Sequence, residues 1–199
     1  MAEMDFGALV EGGQQPAQTP LEEAQRALGI AGARHELVLS LFRLATQWLD
    51  EVRLLQAVLE VLEDTIRAEA GSVIMLDRQE GDLYFAAATG PVSEDIKRVR
   101  LDLHEGIVGW CMDAGRTIRI NNVQAEPMWH REISEQFGFS VRSILATPVR
   151  LGQRVIGCIE MINKVGAGDT QFSVDDELLL GDAGESLSIL FGLRGGPRS

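Results

Sequence analysis

The sequence predicts an α+β fold in which one mainly antiparallel sheet of about six strands is combined with long helices at both ends. Apolar residues recur every three to four positions over residues 35–68 and again over 174–193, which predicts helices. From Ser72 the period changes to that of strands, and two predicted hairpins turn at Gly81 and Gly152. Strands joined by tight turns are antiparallel, so the predicted sheet is mainly antiparallel.

Composition restricts the function before any motif is considered. The chain has 199 residues, of which 45% are hydrophobic and 24% charged, and this is typical of a folded domain. A net charge of -12 predicts repulsion of nucleic-acid backbones. No apolar run reaches the roughly 18 residues that span a bilayer, and the acidic N-terminus does not fit a signal peptide. We expect a cytoplasmic protein with no nucleic-acid or membrane partner.

The first predicted helix begins with a capping box. Thr19 can cap the helix, Pro20 suits its first position and Glu22 completes the box. This helix is expected to end near Gly29. Four segments are therefore predicted: a disordered tail over 1–18, a short helix and linker over 19–34, the folded domain over 35–194, and a frayed tail over 195–199.

The helical stretch over residues 35–68 carries two apolar stripes, with a break expected at Asp50, which can cap a second helix. One stripe is enough to dock a helix on a sheet, so two stripes predict a second neighbour. We expect a homodimer through this helix and the closing helix. The alternative is a helix buried deep in a single core. The first stripe is Leu37, Leu41, Leu44, Trp48, Val52, Leu55, Leu59, Leu62 and Ile66, and the second is Val38, Phe42, Ala45, Leu49, Leu54, Val58 and Val61.

Between the two helical ends, short strands alternate with short helices, because β-branched and aromatic runs are separated by glycine and polar residues. Strands are predicted over 72–77, 83–88, 99–103, 117–120, 143–149 and 155–164, and helices over 93–98, 106–115, 129–137 and 174–193.

Glu160 is the most informative residue for function. Both faces of the strand over 155–164 are apolar, with Glu160 on the same face as Ile156, so this strand is predicted to be central and covered on both sides. A carboxylate there must be paired or face a polar cavity, because burying it bare is costly. Two alternatives stay open: Glu160 lies at the floor of a ligand pocket, or it forms an ion pair with Arg142 or Arg119.

Opposite charges flank the loop between the last strand and the last helix. Lys164 and Asp176 are expected to form a partly exposed ion pair that joins the strand end to the helix start. Ser173 is a plausible N-cap, and helix capping alone is the alternative explanation of the acidic residues.

Cysteine and histidine content gives little support for catalysis or metal binding. Cys111 and Cys158 lack metal-ligand spacing and a recognisable base, so we expect inert thiols and no metal site. Gly106 opens a glycine-framed helix whose backbone N–H groups can approach an anion, although close packing is the alternative. Trp129 and His130 lie in a polar excursion, where His130 either faces a ligand or is simply exposed.

Residues 37–193 resemble a GAF domain, a small-molecule-sensing module related to PAS domains. The segments that carry the resemblance are AGSVIMLD, HEGIVGWCMDAGRTIRINNV, FGFSVRSILATPV, and GQRVIGCIEMINK followed by FSVDDE. The resemblance implies a six-stranded antiparallel sheet with the end helices on one face, a ligand pocket on the other face, and frequent dimerisation.

The same resemblance implies the site residues. Phe137 and Val141 stand where hydroxyl-bearing residues are usual, which removes two hydrogen-bond donors. The sequence matches in order and spacing the NKFDE motif of cyclic-nucleotide-binding GAF domains of phosphodiesterases, which implies a structural latch of Asn163, Lys164, Phe172, Asp176 and Glu177. With Trp129 and His130 included, the candidate ligand-binding residues are Ser72, Ile107, Val108, Trp129, His130, Ser134, Phe137, Val141 and Glu160.

These expectations define the predicted function. We expect a non-catalytic sensory module that binds a small polar effector, with cAMP or cGMP as the best candidates and no firm cofactor. Its output is expected through a dimer or an unidentified partner protein. The first alternative is a ligand-free dimerisation or protein-docking domain. The second is a thiol-based free methionine sulfoxide reductase, which shares the fold, but Cys111 and Cys158 do not match its GVCG-type motif.

Overall fold

The structure, a computed structural model, describes residues 19–47, 49–129, 131–166 and 170–194. The two predicted tails, Trp48 and His130 lie outside these residues. The helices are α1 (Pro20–Thr46), α2 (Glu51–Ile66), α3 (Ser93–Ile96), α4 (Gly106–Ala114), α5 (Glu132–Phe137) and α6 (Val174–Arg194). The strands are β1 (Ala68–Asp77), β2 (Asp82–Ala88), β3 (Arg100–Leu101), β4 (Ile118–Ile120), β5 (Ile144–Leu151) and β6 (Arg154–Lys164).

The six strands form one antiparallel sheet in the order β3-β2-β1-β6-β5-β4. This confirms the predicted α+β class and the central position of β6. Helices α1, α2 and α6 cover one face of the sheet and share the larger apolar cluster with it. The other face carries α4 and a second apolar cluster, which surrounds the cavity described below. Each side of β6 therefore has a distinct core.

The start of α1 is confirmed, but its predicted end near Gly29 is wrong. Thr19 and Glu22 form both hydrogen bonds of the capping box, and the helix continues without interruption through the predicted linker to Thr46. A helical glycine costs only about 1 kcal/mol. Here Arg26 and Arg34, on either side of Gly29, form ion pairs with aspartates of α6 and hold the helix against it.

The break at Asp50 is confirmed, because its side chain accepts a hydrogen bond from the Arg53 N–H at 2.9 Å and caps α2. The two apolar stripes differ between the helices. In α2 both stripes are buried, except for Val61, which is half-buried, and Val52, which is 59% exposed, so they serve the core of this chain. In α1 the first stripe is buried at Leu37 and Leu41, whereas Val38 and Phe42 of the second are only half-buried.

A bulge in β6 corrects the predicted face of Ile156. The pairing of β5 with β6 shifts by one residue between Val149 and Arg150, which leaves Ile156 unpaired. Ile156 consequently packs on the helix side and Val155 on the other side, the reverse of the simple alternation. Glu160 lies beyond the bulge and keeps its predicted face. In the described part of the chain, no helix combines the length and apolar character that a membrane span requires.

Candidate functional site

A cavity of about 150 Å³ lies on the sheet face opposite the helix layer. Its floor is formed by β1, β2 and β6, and its walls by the start of α4, by α5 and by the loop that follows α5. Of the nine predicted ligand-binding residues, His130 lies outside the described residues. The other eight all line this one cavity: Ser72, Ile107, Val108, Trp129, Ser134, Phe137, Val141 and Glu160.

Most of the apolar residues that line the cavity were not predicted from the sequence. Ile74 could have been found, because it lies two positions after Ser72 on the same face of β1. Phe85 and Ile144 come from neighbouring strands, so only the register of the sheet brings them to the cavity. Phe139 carries no periodic signal because it lies in the loop after α5.

Glu160 projects from the central strand into this apolar setting. Its side chain is buried, and burial raises its pKa to about 7. The β1–β6 register places Ser72 directly opposite, and the Ser72 hydroxyl donates to Glu160 Oε2 at a long 3.5 Å, which lowers the pKa slightly in opposition to burial. The carboxyl group therefore changes from neutral to negatively charged near neutral pH.

The alternative in which Glu160 forms an ion pair with Arg142 or Arg119 is wrong. The Arg142 guanidinium contacts Glu69 at 3.1 Å, and the Arg119 guanidinium contacts Glu177 at 3.0 Å. Among the described residues that line the cavity there is no lysine, arginine or histidine. Glu160 is thus buried without a cationic partner from the described lining.

Trp129 supplies an unsatisfied donor to the same cavity. Its indole Nε1 is buried and has no hydrogen-bond partner within the described residues. An indole N–H can only donate, and leaving a buried donor unpaired costs about 1–3 kcal/mol. The cavity wall consequently holds an acceptor at Glu160 and a donor at Trp129 that the described protein groups do not satisfy well.

The start of α4 forms a further part of the wall. Gly106 has a φ of +67°, which favours glycine, and Glu105 at the N-cap position makes no side-chain capping bond to the first turn. Gly109 lies against the loop before the helix, where a Cβ atom would come within 2.5 Å of the His104 backbone. The predicted alternative was close packing of the glycines on the sheet, whereas Gly109 packs on the preceding loop and a Cβ atom at Gly106 would meet open space.

Neither cysteine lines the cavity. Cys111 and Cys158 are free thiols, and both are completely buried in the apolar cluster around it. Burial raises the pKa of Cys158 well above its usual range, and the neighbouring Cys111 raises it further. A thiol in this state is a poor nucleophile, because the thiolate is the reactive form.

Lys164 and Asp176 form the predicted ion pair, with 2.7 Å between Nζ and Oδ1. The pair was expected to be partly exposed, but the two side chains are only 15% and 8% exposed. Lys164 Nζ also donates to the Ile66 carbonyl at the end of α2. Asp176 accepts from the Ser173 N–H at 2.8 Å and its own N–H donates to the Ser173 hydroxyl at 3.1 Å, so Ser173 caps α6 as predicted and Asp176 completes the capping box. The ion pair and the helix capping, which were the two predicted explanations of these charges, are therefore both present.

The remaining motif residues surround the same junction. Phe172 is buried, and the Asn121 side chain binds both its N–H and its carbonyl, at 2.8 and 3.0 Å. Arg119 donates to the Phe172 carbonyl and pairs with Glu177. Asn163 is completely buried at the end of β6. Sequence analysis missed Asn121 because its partner lies 51 positions away.

A family-wide sequence profile described as GAF domain matches residues 49–191, more than half of the chain. The chain belongs to the GAF domain family. The matched region begins just before α2, and α1 precedes it. The fold and the family implied by the sequence motifs are both confirmed. The NKFDE subtype is a finer prediction that this match does not address.

Two curated relatives are cyclic nucleotide phosphodiesterases. The probable 3′,5′-cyclic phosphodiesterase pde-5 of Caenorhabditis elegans is 26% identical over 145 residues, which cover 68% of this chain and 19% of that protein. The cone cGMP-specific 3′,5′-cyclic phosphodiesterase subunit alpha′ of Bos taurus is 33% identical over 75 residues, which cover 38% of this chain and 8% of that protein. The chain therefore spans a fifth or less of these relatives. Family membership and these relatives support a role in signal transduction and small-molecule binding.

Solved structures agree on the fold. The GAF domain of a phosphoenolpyruvate-protein phosphotransferase from Coxiella burnetii has a TM-score of 0.72 at 16% identity and covers 83% of this chain and 96% of its own. The free methionine-R-sulfoxide reductase from Neisseria meningitidis, in complex with its substrate, has a TM-score of 0.68 at 21% identity and covers 84% and 93%. One fold thus occurs in a GAF domain of a phosphotransferase and in a methionine sulfoxide reductase, and function must be argued from the site.

Proposed function

We propose that this GAF domain is a non-catalytic sensory module that binds a small polar effector in the cavity, with a cyclic nucleotide as the first candidate. The observation that carries the proposal is the Glu160 carboxyl group, which is buried at the cavity without a cation among the described lining residues. A buried carboxyl group is costly unless a partner hydrogen-bonds to it. A ligand with N–H groups supplies that partner.

The lining favours a planar heterocycle with both donors and acceptors. Its N–H groups would satisfy Glu160, and an acceptor atom would satisfy the Trp129 indole N–H. Phe85, Phe137 and Phe139 supply aromatic contact surface. A cavity of about 150 Å³ takes one small aromatic ring. Binding of a complete nucleotide therefore requires the wall to move outward.

The start of α4 supports an anionic group on that ligand. The first turn of a helix presents backbone N–H groups and the positive end of the helix dipole. In α4 this turn lines the cavity at Ile107 and Val108. A cyclic phosphate at this position and a base near Glu160 would use both ends of the site. The two phosphodiesterase relatives support the same ligand class.

The test is isothermal titration with cAMP and cGMP, together with thermal shift. A nucleotide at 100 times its dissociation constant is expected to stabilise the protein by about 2.7 kcal/mol. Glu160→Gln should weaken binding at least about tenfold, the effect of roughly 1.4 kcal/mol from a lost charged hydrogen bond. Glu185→Gln removes an exposed carboxylate on α6 and should bind like the wild type. Equal binding by Glu160→Gln and the wild type, or no binding of either nucleotide, would reject this assignment.

The second part of the proposal is that the domain signals as a homodimer through α1 and α6. Both helices keep large apolar side chains exposed although they pack on each other: Leu28 is 76% exposed on α1, and Ile189 and Leu193 are 52% and 76% exposed on α6. Such surfaces favour association. A ligand-free dimerisation domain is the alternative that this face alone would support.

The enzyme alternative has less support in the site. The methionine sulfoxide reductases share the fold with this chain, but a thiol enzyme needs an activated thiolate that reaches its substrate. Cys111 and Cys158 are completely buried, neither lines the cavity, and the pKa of Cys158 is raised rather than lowered. This geometry supports the non-catalytic proposal.

A further inference from the structure

Asn163 is completely buried at the end of β6 and holds the loop that follows α5. Its Oδ1 accepts the Arg142 N–H at 2.7 Å and the Ser143 N–H at 3.4 Å. Its Nδ2 donates to the Ser140 carbonyl at 2.8 Å and to Glu69 Oε2 at 2.9 Å. Every donor and acceptor of the amide is therefore used, and three of the four bonds go to backbone groups of one loop.

That loop, residues 138–143, forms part of the cavity wall and is called the wall loop below. Phe139 and Val141 of the wall loop line the cavity, and the loop lies between α5 and β5 outside the sheet ladder. Asn163 binds the residues on both sides of Val141, namely Ser140 and Arg142. The position of this wall consequently depends on the Asn163 side chain.

The next residue, Lys164, binds the helix layer. Its ammonium group donates to the Ile66 carbonyl at the end of α2 and pairs with Asp176 in the first turn of α6. One residue further, the Val165 N–H donates to the Arg67 carbonyl at 2.7 Å. Three consecutive residues at the end of β6 thus join the wall loop to the point where α2 ends and α6 begins.

The backbone at this point is constrained. Asn163 has a φ of +57° and Arg67 a φ of +59°, values in the left-handed region that are uncommon for non-glycine residues, although asparagine adopts them more readily than most. Because both residues are held by the hydrogen bonds described above, the end of β6 cannot shift without changing the helix junction. A displacement of the wall loop would therefore also displace the end of β6.

From these contacts we propose that Asn163 is a positioning residue that sets the cavity wall and, with Lys164, transmits wall movements to the α2–α6 junction. The inference rests on the proposed function in taking the cavity as the effector site. It adds the route by which an effector that widens the cavity reaches the helix layer. Asn163 touches the wall through backbone groups and needs no contact with the effector.

The test is a double-mutant cycle read by hydrogen exchange and mass spectrometry on the protein without ligand. Val141→Ala perturbs the wall from the cavity side, and Asn163→Gly removes the amide while keeping a residue that accepts φ of +57°. Exchange is followed in peptides over residues 62–68 and 173–179. Met112→Ala is the control, because Met112 lies in the same apolar cluster with the same 7% exposure as Val141 but does not line the cavity.

Val141→Ala should raise the hydrogen-exchange rate in both junction peptides by roughly threefold or more. This factor corresponds to the weaker of the coupling energies found between residues of one hydrogen-bonded network. In the Asn163→Gly background Val141→Ala should add no further increase. Additive effects, or an equal response to Met112→Ala, would show that Asn163 is merely structural and would overturn the proposal.

If Asn163→Gly does not fold, Asn163→Asp replaces it. The aspartate keeps the acceptor for Arg142, loses the donor to Ser140 and to Glu69, and faces the Glu69 carboxylate, so the same loss of coupling is expected. Because no ligand is used, a negative result here leaves the effector proposal standing, and failure of every nucleotide to bind leaves this cycle interpretable.

Discussion

The Glu160 carboxyl group combines burial with a position at the cavity. Its pKa is raised by burial from 4.5 to about 7, so folding favours its protonated form. The stabilising contribution of the protonated group is complete below pH 4.5 and is lost as the pH rises to 7. A ligand that donates N–H groups to the carboxylate would reverse this preference. Its affinity should therefore increase between about pH 6 and pH 8.

Glu160→Gln is expected to remove this pH dependence. The shift from 4.5 to about 7 corresponds to about 3 kcal/mol of stability that the wild type loses on ionisation. The free energy of unfolding of the variant, relative to the wild type, should therefore increase by about this amount between pH 4 and pH 8. Urea unfolding of both proteins at several pH values measures it. A constant difference would mean that the pKa of Glu160 is the same in the folded and the unfolded protein.

The two cysteines are predicted to be dispensable. Both thiols are buried at the cavity face of the sheet, and neither contacts the cavity. A double variant, Cys111→Ser with Cys158→Ser, should retain fold and nucleotide binding, with a stability loss of about 1–3 kcal/mol from burying two hydroxyls. Circular dichroism and titration check this. Reduction of free methionine sulfoxide by the wild type, lost in the variant, would instead establish an enzyme.

At the scale of elements, the Lys164–Asp176 pair joins the end of β6 to the start of α6. Exposed ion pairs contribute little, whereas removing one partner of a buried pair leaves a charge without compensation. This pair is 15% and 8% exposed, so it belongs to the second class. The Lys164 ammonium group also donates to the Ile66 carbonyl, so it binds both the end of α2 and the start of α6.

Lys164→Ala should lower the free energy of unfolding by about 3 kcal/mol, since Asp176 would stay buried without its cation. Lys97→Ala is the matched control. Lys97 pairs with Glu94 at 2.8 Å, but Glu94 is 83% exposed, so the cost should be below about 1 kcal/mol. Urea unfolding measures both. Hydrogen exchange should also increase in residues 165–171, of which 167–169 lie outside the described residues. Equal costs for the two lysines would contradict the latch.

At the scale of the whole molecule, the helix layer both completes the core and leaves large apolar side chains of α1 and α6 exposed. Leu41 is only 1% exposed, so a charge there would disrupt the core and would not test association. The exposed side chains of α1 and α6 are the correct positions for such a test. The predicted homodimer therefore depends on residues that the packing of this chain leaves uncovered.

Light scattering at micromolar concentration should give twice the chain mass for the wild type. Leu28→Glu combined with Ile189→Glu should give a folded monomer, because both side chains are exposed and the core is unchanged. Val52→Glu is the control, since Val52 is 59% exposed at the start of α2 and lies outside this face. A monomeric wild type would reject the dimer.

Features that depend on neighbouring residues could be predicted from the sequence. Capping at Thr19 and Asp50, the order of helices and strands, and the central position of the strand that carries Glu160 all follow from local spacing and residue type. The resemblance to the GAF family added the cavity-lining positions, which the fold brings together. These features are readable because periodicity and capping act over a few residues.

Features that depend on distant partners are seen only in the tertiary structure. The continuity of α1 past Gly29 rests on ion pairs with α6, and the reversal at Ile156 rests on a register shift against β5. Within the described part of the chain, Arg142 and Arg119 pair with Glu69 and Glu177 and not with Glu160. The position of the wall loop also depends on a distant partner, the Asn163 amide, which lies about 20 residues later in the chain. Such pairings compete across the whole molecule, so no local pattern in the sequence can specify which partner is chosen.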